Sequence, residues 1–218
     1  MEQNKFIVPI FQTPLLIGSS TNKEIRDKMI SLVEKFKDNA ENARLVSEDW
    51  NHAKRSSDKE DFLKSGLTTF GSNNNLLNNP EWSDAVDFIQ DFSSAMISSV
   101  TDNTDYGMTN MWATLYPKGT FVPQHIHSNS TLSGVFYVKT SENCGSIVFQ
   151  DPAWVAKTMQ TRKDHWPRIQ TKFAVPPEDG MMILFPSWLP HNTEVNNSDN
   201  DRIIISFNID FAVYDGES

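Results

Sequence analysis

The chain contains one cysteine, Cys144, so no disulfide can form within it. A reducing compartment, and with it a soluble cytoplasmic protein, is the expectation. Cys144 itself reads as a small buried hydrophobe rather than a redox nucleophile. Positive charge is also scarce, with 19 Lys and Arg against 28 Asp and Glu and a formal charge of -9. A surface that tracks a phosphate backbone is built from clustered Lys and Arg, so nucleic acid is not an expected partner. No apolar run approaches the roughly 20 residues that span a bilayer. The stretch Met1 to Phe11 lacks the basic and apolar regions of a signal peptide, and no membrane association is expected. There is no internal repeat, no P-loop and no glycine fingerprint of a dinucleotide site.

What is present is globular: hydrophobic residues make up 38%, including 14 Phe and 6 Trp, which excludes a disordered chain. A length of 218 residues fits a single domain over 1–218 with one core. Phe6 to Phe11 alternates briefly and contains Pro9, which favours an edge strand. Ile25, Met29, Leu32, Val33 and Phe36 recur at helical spacing after the candidate caps Ser20, Thr21 and Asn22. From Asn39 to Asn79 periodicity is poor and loops are expected, with Trp50 and Phe62 pinning them to the body. A second helix begins with Asn79 as cap and Pro80 in the first position, and carries a stripe of Trp82, Val86, Ile89 and Met96 supplemented by Phe92 and Ala95. Both helices read as scaffold.

After Thr101 the pattern changes to short strands: Met108 to Tyr116, Leu132 to Lys139, Ser146 to Gln150, Lys172 to Val175, Met181 to Phe185 and Ile203 to Phe211. Helices first and strands afterwards predict a mainly β fold, a barrel or two-layer jelly roll over 108–212 with a largely helical N-terminal flank over 1–101. A homodimer through an edge strand or the first helix is an open option.

Two segments carry the chemistry. In Tyr116-Pro-Lys-Gly-Thr-Phe-Val-Pro-Gln-His125-Ile-His127 the histidines are two apart, so on an extended chain they point to the same side. In Phe185-Pro-Ser-Trp-Leu-Pro-His191 a third imidazole closes an apolar strand. Three such nitrogens form a face that holds a divalent first-row metal and leaves half an octahedron open. The alternative for His127 is to orient a ligand while Asp151 or another carboxylate completes the shell. His52 and His165 read as loop residues. On the last strand Arg202, Ile204, Ser206, Asn208 and Asp210 share one face, and Ile203, Ile205, Phe207, Ile209 and Phe211 the other. If the polar face looks into the barrel, Arg202 is placed to receive a carboxylate through a bidentate pair.

These segments, together with Ser133-Gly-Val-Phe-Tyr-Val138, Gly145-Ser-Ile-Val-Phe149 and Pro177-x-x-Gly180, resemble the Fe(II)- and 2-oxoglutarate-dependent oxygenases, especially the prolyl-hydroxylase-like branch. The resemblance covers roughly Trp112 to Phe211. It implies a double-stranded β-helix, a cupin-like jelly roll, and an oxidoreductase that uses iron, 2-oxoglutarate and O2 to hydroxylate a small molecule or an amino-acid side chain in a peptide. It makes His125 and His191 metal ligands, Arg202 the clamp for the far carboxylate of 2-oxoglutarate, and Tyr116 its assistant. His127 departs from the pattern, which has a carboxylate there; as a third imidazole it removes one negative charge from the site. A hydroxyl often stands two residues past the arginine, where this chain has Ile204, so Ser206 and Ser133 are the candidate pocket hydroxyls. Trp112, Phe136 and Trp188 are candidates for the substrate pocket, with Phe121 and Tyr137 also near it. The alternatives are a cupin-like three-histidine dioxygenase or isomerase that does not use 2-oxoglutarate, and an inactive sugar- or peptide-binding jelly roll.

Overall fold

The computed structural model describes residues 12–36, 44–45, 66–71, 75–160 and 170–212. The expectations for Phe6 to Phe11, Trp50, Phe62, His52 and His165 lie outside these residues. Strands β1 (Leu16–Ser19), β2 (Arg44–Leu45), β3 (Leu67–Thr68), β4 (Tyr106–Tyr116), β5 (Leu132–Lys139), β8 (Met181–Pro186) and β10 (Arg202–Phe211) form one sheet in the order β1-β8-β5-β10-β4-β3-β2. Strands β6 (Ile147–Gln150), β7 (Lys172–Val175) and β9 (His191–Thr193) form a second, in the order β7-β6-β9. All the strand pairs are antiparallel. This is the jelly roll that the strand series predicts, with the helices on one side.

The large sheet has two buried faces, and each strand divides its side chains between them. Phe136, Val138, Met182, Leu184, Ile203, Ile205, Phe207 and Ile209 join helices α1 (Lys23–Phe36) and α2 (Ser83–Ser98) in one apolar cluster. Val135, Tyr137, Ile183, Phe185 and Ile204 point the other way and meet Ile147, Phe149 and Val175 of the small sheet in a second cluster. The alternation follows from the period of two along a strand. Each apolar side chain fully buried this way contributes about 1.5 to 3 kcal/mol, so both faces matter to stability.

The helices form as their periodicity requires. α1 buries Ile25, Met29, Leu32, Val33 and Phe36, and of the three candidate caps it is Asn22 whose side chain accepts from the Ile25 N–H at 3.1 Å. Asn79 accepts from Glu81 N–H and Pro80 follows it, but they open a short 3-10 turn, Pro80–Trp82, that leads into α2. Trp82 is buried there, stacked on Phe36 at 6.1 Å. Ala95, expected in the stripe, is exposed; Ala85, Ser93 and Ile97 take buried positions on α2 instead. β1, β9 and helix α3 (Trp154–Gln160) have no counterpart in the sequence reading, nor do the two-residue strands β2 and β3, which fall in the stretch Asn39 to Asn79 where loops are expected. Among the described residues no helix is long and apolar enough to cross a membrane.

At one position a glycine sets the packing. A Cβ on Gly134 would lie 2.2 Å from the Phe207 ring. The bare backbone there leaves room for the ring of Phe207, its partner opposite on the central strand β10.

Candidate metal centre

The two histidine segments meet through their backbones. His125 N–H donates to His191 O at 2.9 Å and His191 N–H to His125 O at 3.0 Å, an antiparallel bridge between the chain before β5 and the start of β9. His127 N–H donates to Ser187 O at 2.9 Å, tying the same segment to the turn after β8. With the backbone held at both points, the period of two brings His125 and His127 to one side, facing His191. The ligand atoms of the three imidazoles lie within 4.8 Å of one another.

The hydrogen bonds at the other ring nitrogens decide the tautomers. His125 Nδ1 lies 2.9 Å from Pro123 O, and His191 Nδ1 lies 2.9 Å from Leu189 O. A carbonyl oxygen can only accept, so each Nδ1 carries the proton and each Nε2 presents a lone pair. His127 Nδ1 lies 2.7 Å from Asn208 Oδ1 and 2.7 Å from Ser133 Oγ. Ser133 Oγ itself donates to Asn208 Oδ1 at 2.8 Å and lies 2.8 Å from Ser187 Oγ. The amide oxygen therefore fixes the His127 proton on Nδ1 as well. His125 Nε2 and His127 Nε2 then face each other at 3.3 Å with no proton between them. Two converging lone pairs repel unless a cation lies between, which is the arrangement that second-sphere acceptors create around metal-binding imidazoles.

Burial keeps the rings neutral. It lowers the His125 pKa to about 4, against the opposing effect of the Pro123 carbonyl. It lowers His191 to about 3, with repulsion from His125 as the next cause. His127 is pushed down by burial too, partly offset by its bond to Asn208. Neutral imidazole is the form that binds a metal.

The histidines open into a cavity of 380 Å³ between the two sheets. The polar face of β10 lines it: Arg202, Ile204, Ser206 and Asn208 pair in register with Tyr116, Thr114, Trp112 and Asn110 of β4. Arg202 is 1% exposed. Its Nη1 donates to Cys144 O at 2.6 Å and Gly145 O at 2.8 Å, and its guanidinium carbon lies 4.5 Å over the Tyr116 ring. Gly145 takes φ +85°, and a Cβ there would lie 2.5 Å from Glu194 O, so the carbonyl that meets Arg202 is set by a turn only glycine suits. Arg202 Nε and Nη2 are buried without a partner. A buried cation with two unpaired donors is the strongest sign that an anion belongs in this cavity.

The remaining candidates divide. Ser206 and Trp112 line the cavity, Trp112 with its ring 5.7 Å from His127. Ser133 is fully buried behind His127, where it is bonded to His127, Asn208 and Ser187 and not to the cavity space. Phe136 does not face the cavity: it is completely buried on the helix side, 5.4 Å from Phe88 and 6.4 Å from Phe92. Trp188 sits at the tip of the turn between β8 and β9, 52% exposed and off the cavity wall. Phe121 is likewise exposed. Asp151 accepts from Ala153 N–H and pairs with Lys157 at the start of α3, lining a separate groove. No carboxylate joins the three histidines among the described residues. Asn208, Ser187 and Asn110 were not singled out in the sequence. Asn208 stood on the predicted polar face of the last strand, but its partner is 81 residues away and no local pattern links them.

Residues 110–208 match the family model described as "Putative 2OG-Fe(II) oxygenase". No curated protein matches the chain. Among solved structures, HygX from Streptomyces hygroscopicus, with nickel and 2-oxoglutarate bound, aligns at 11% identity over 93% of this chain and 84% of that one, with a TM-score of 0.57. A prolyl hydroxylase from Trichoplax adhaerens, in complex with a hypoxia inducible factor peptide fragment, aligns at 13% identity over 90% and 83%, TM-score 0.56. A Pseudomonas putida prolyl-4-hydroxylase aligns at 11% identity over 90% and 92%, TM-score 0.53. The alignment with an oxidoreductase of the 2OG-Fe(II) oxygenase family from Burkholderia pseudomallei spans 59% of that protein. Identities this low carry the fold and nothing finer.

Proposed function

We propose that this chain, whose residues 110–208 match the 2OG-Fe(II) oxygenase family model, is a dioxygenase that uses Fe(II) and 2-oxoglutarate, in which His125, His127 and His191 hold the iron and Arg202 holds the cosubstrate. The substrate class is a small molecule or an amino-acid side chain in a peptide. The observation that carries this reading is the pairing, in one cavity, of three converging Nε2 lone pairs with the unpaired Nε and Nη2 of a buried arginine.

The residues fit both groups. Three neutral nitrogen donors on one side suit a divalent first-row metal and leave its other side open. Iron so held supplies O2 activation coupled to oxidative decarboxylation of the 2-oxo acid. The protein's part is to bind and orient. Arg202 receives the far carboxylate on the edge formed by Nε and Nη2, while Nη1 stays committed to the Cys144 and Gly145 carbonyls. Tyr116 supports the guanidinium from below through its ring. Asn208, with Ser133 and Ser187 behind it, keeps the His127 proton away from the metal side. Because His127 is an imidazole, the three protein ligands bring no negative charge, so the charge of an iron held here would be offset by groups that arrive from outside the chain, the metal-side carboxylate of 2-oxoglutarate among them.

The test is turnover: iron-loaded protein consumes O2 and converts 2-oxoglutarate to succinate, faster with its substrate, and His191→Ala abolishes both. The carboxylate-free shell keeps one second reading in view, a three-histidine metal enzyme of the cupin type that does not use 2-oxoglutarate. Metal-dependent O2 consumption that is unchanged when 2-oxoglutarate is omitted would establish that reading instead.

A further inference from the structure

Two asparagines face each other at the metal end of the cavity, and the histidines use only one of them. Asn110 of β4 pairs with Asn208 of β10, six positions from the Tyr116–Arg202 pair and about 20 Å along the sheet at strand rise. Asn208 Oδ1 is occupied: His127 Nδ1 lies 2.7 Å from it and Ser133 Oγ donates to it at 2.8 Å. Asn110 Oδ1 is buried with no hydrogen-bond partner among the described residues, although Asn110 lines the cavity. Buried amide oxygens are nearly always paired, because an unpaired one has lost its hydration and gained nothing in exchange. Asn110 lies across the ladder from the residue that steadies His127 and far from Arg202, at the end of the cavity left open to the substrate. The donor that satisfies its oxygen arrives with that substrate.

Two positions along β4, Trp112 supplies an aromatic wall beside this acceptor. Its ring lies 5.7 Å from the His127 ring and 5.0 Å from the Phe70 ring, tilted by 55° to the latter. Phe70 lines the same cavity and is 45% exposed. Aromatic surface therefore runs from the rim inward to one of the three imidazoles. A further ring gains from such a surface by tilted or offset contact, beyond what the buried area alone gives.

We infer that the substrate presents to this end of the cavity an aromatic ring bearing a donor hydrogen, a ring N–H or a phenolic O–H, which it donates to Asn110 Oδ1 while the ring packs against Phe70 and Trp112. The inference rests on the oxygenase reading above, which assigns the Arg202 end to the cosubstrate. Asn110 is then a specificity-determining residue. A ring with a methyl group in place of the donor hydrogen covers the amide oxygen and leaves it unpaired, and a site built to take a donor rejects the analogue that lacks one.

Two matched pairs of probes test this: indole against 1-methylindole, and phenol against anisole. Each pair keeps the ring and replaces the donor hydrogen by a methyl group. The full chain, held anaerobically with Fe(II) and 2-oxoglutarate, is titrated calorimetrically with each compound. Indole, phenol or both should bind, with the methylated partner about tenfold weaker. Asn110→Leu keeps the volume and removes the acceptor, so it should bring the two members of a pair to within about twofold of each other. A preference caused only by the bulk of the methyl group would survive that substitution. Asn110→Val, suited to a strand, repeats the measurement if the first variant does not fold. Phe70→Leu keeps an apolar side chain at the rim and removes the ring; it should weaken the donor-bearing probe by about threefold and leave its advantage over the methylated partner in place. The inference is overturned if neither indole nor phenol binds, or if the methylated compounds bind as tightly. It is equally overturned if the preference persists in a folded Asn110 variant, or if Phe70→Leu binds the probes as the unaltered protein does. A titration of 2-oxoglutarate alone separates the two layers. Its failure refutes the cosubstrate reading, whereas normal 2-oxoglutarate binding with no preference for the donor refutes only the substrate class.

Discussion

Replacing Arg202 by Met removes the guanidinium and keeps most of the buried volume. Two of the hydrogen bonds lost are internal, from Nη1 to the Cys144 and Gly145 carbonyls. The donors at Nε and Nη2 have no protein partner, so their loss falls on the ligand. A hydrogen bond between charged groups contributes about 1.5 to 3 kcal/mol, which converts to roughly 10- to 150-fold weaker 2-oxoglutarate binding. Arg202→Lys should lie between the two. Its single ammonium can replace the bonds to the carbonyls or reach the carboxylate, but it has no planar edge with which to do both. The assay is anaerobic calorimetric titration at equal metal occupancy, after thermal melts confirm that each variant is folded. Equal affinity in all three proteins would refute the carboxylate clamp, and with it the use of the unpaired donors as its sign.

Asn208→Leu should weaken metal binding by about 10- to 100-fold in competition with a chelator, because it releases His127 from its fixed tautomer; unchanged affinity would show that His127 needs no such support. Phe136→Ala should cost about 3 to 5 kcal/mol of folding stability in denaturant titration while leaving 2-oxoglutarate affinity as it was, since the ring is buried against α2 and not in the cavity. A large change in cosubstrate affinity would contradict that placement. Metal-free protein should lose stability as pH falls below about 6.5, the ordinary histidine value. The unfolded chain protonates there first, while folded His125 and His191 stay neutral to about 4 and about 3. Stability from these groups is complete above the unfolded value and is lost as pH falls through the folded ones. A melting temperature that stays flat across that window would contradict the burial assigned to them.

Much of the site was legible because it rests on the period of two. His125 and His127 needed only an extended backbone to share a side. Apart from Ile204 the last strand alternates polar and apolar residues, so the face of Arg202, Ser206 and Asn208 could be read directly, and β10 turns that face to the cavity and Ile203, Ile205, Phe207 and Ile209 to the helices. β5 gave no such signal. From Ser133 to Val138 it is buried on both faces, so its pattern could not say that Val135 and Tyr137 face the cavity while Phe136 faces the helices. Trp188 was misplaced for a different reason: it lies in the turn between β8 and β9, where no periodicity constrains direction. β1 and β9 are too short, at four and three residues, to produce a pattern of their own; each is defined by its partner strand. The network of Asn208, Ser133 and Ser187 behind His127 joins residues far apart in sequence, and only the fold brings them together.

The account's central claim is that this chain holds iron with three imidazoles and no carboxylate. A structure of the protein loaded anaerobically with Fe(II) and 2-oxoglutarate tests it most directly. The account predicts Nε2 of His125, His127 and His191 all bound to the metal, with His127 Nδ1 still on Asn208. An iron centre in which His127 has turned away and a carboxylate occupies the third protein position would contradict it.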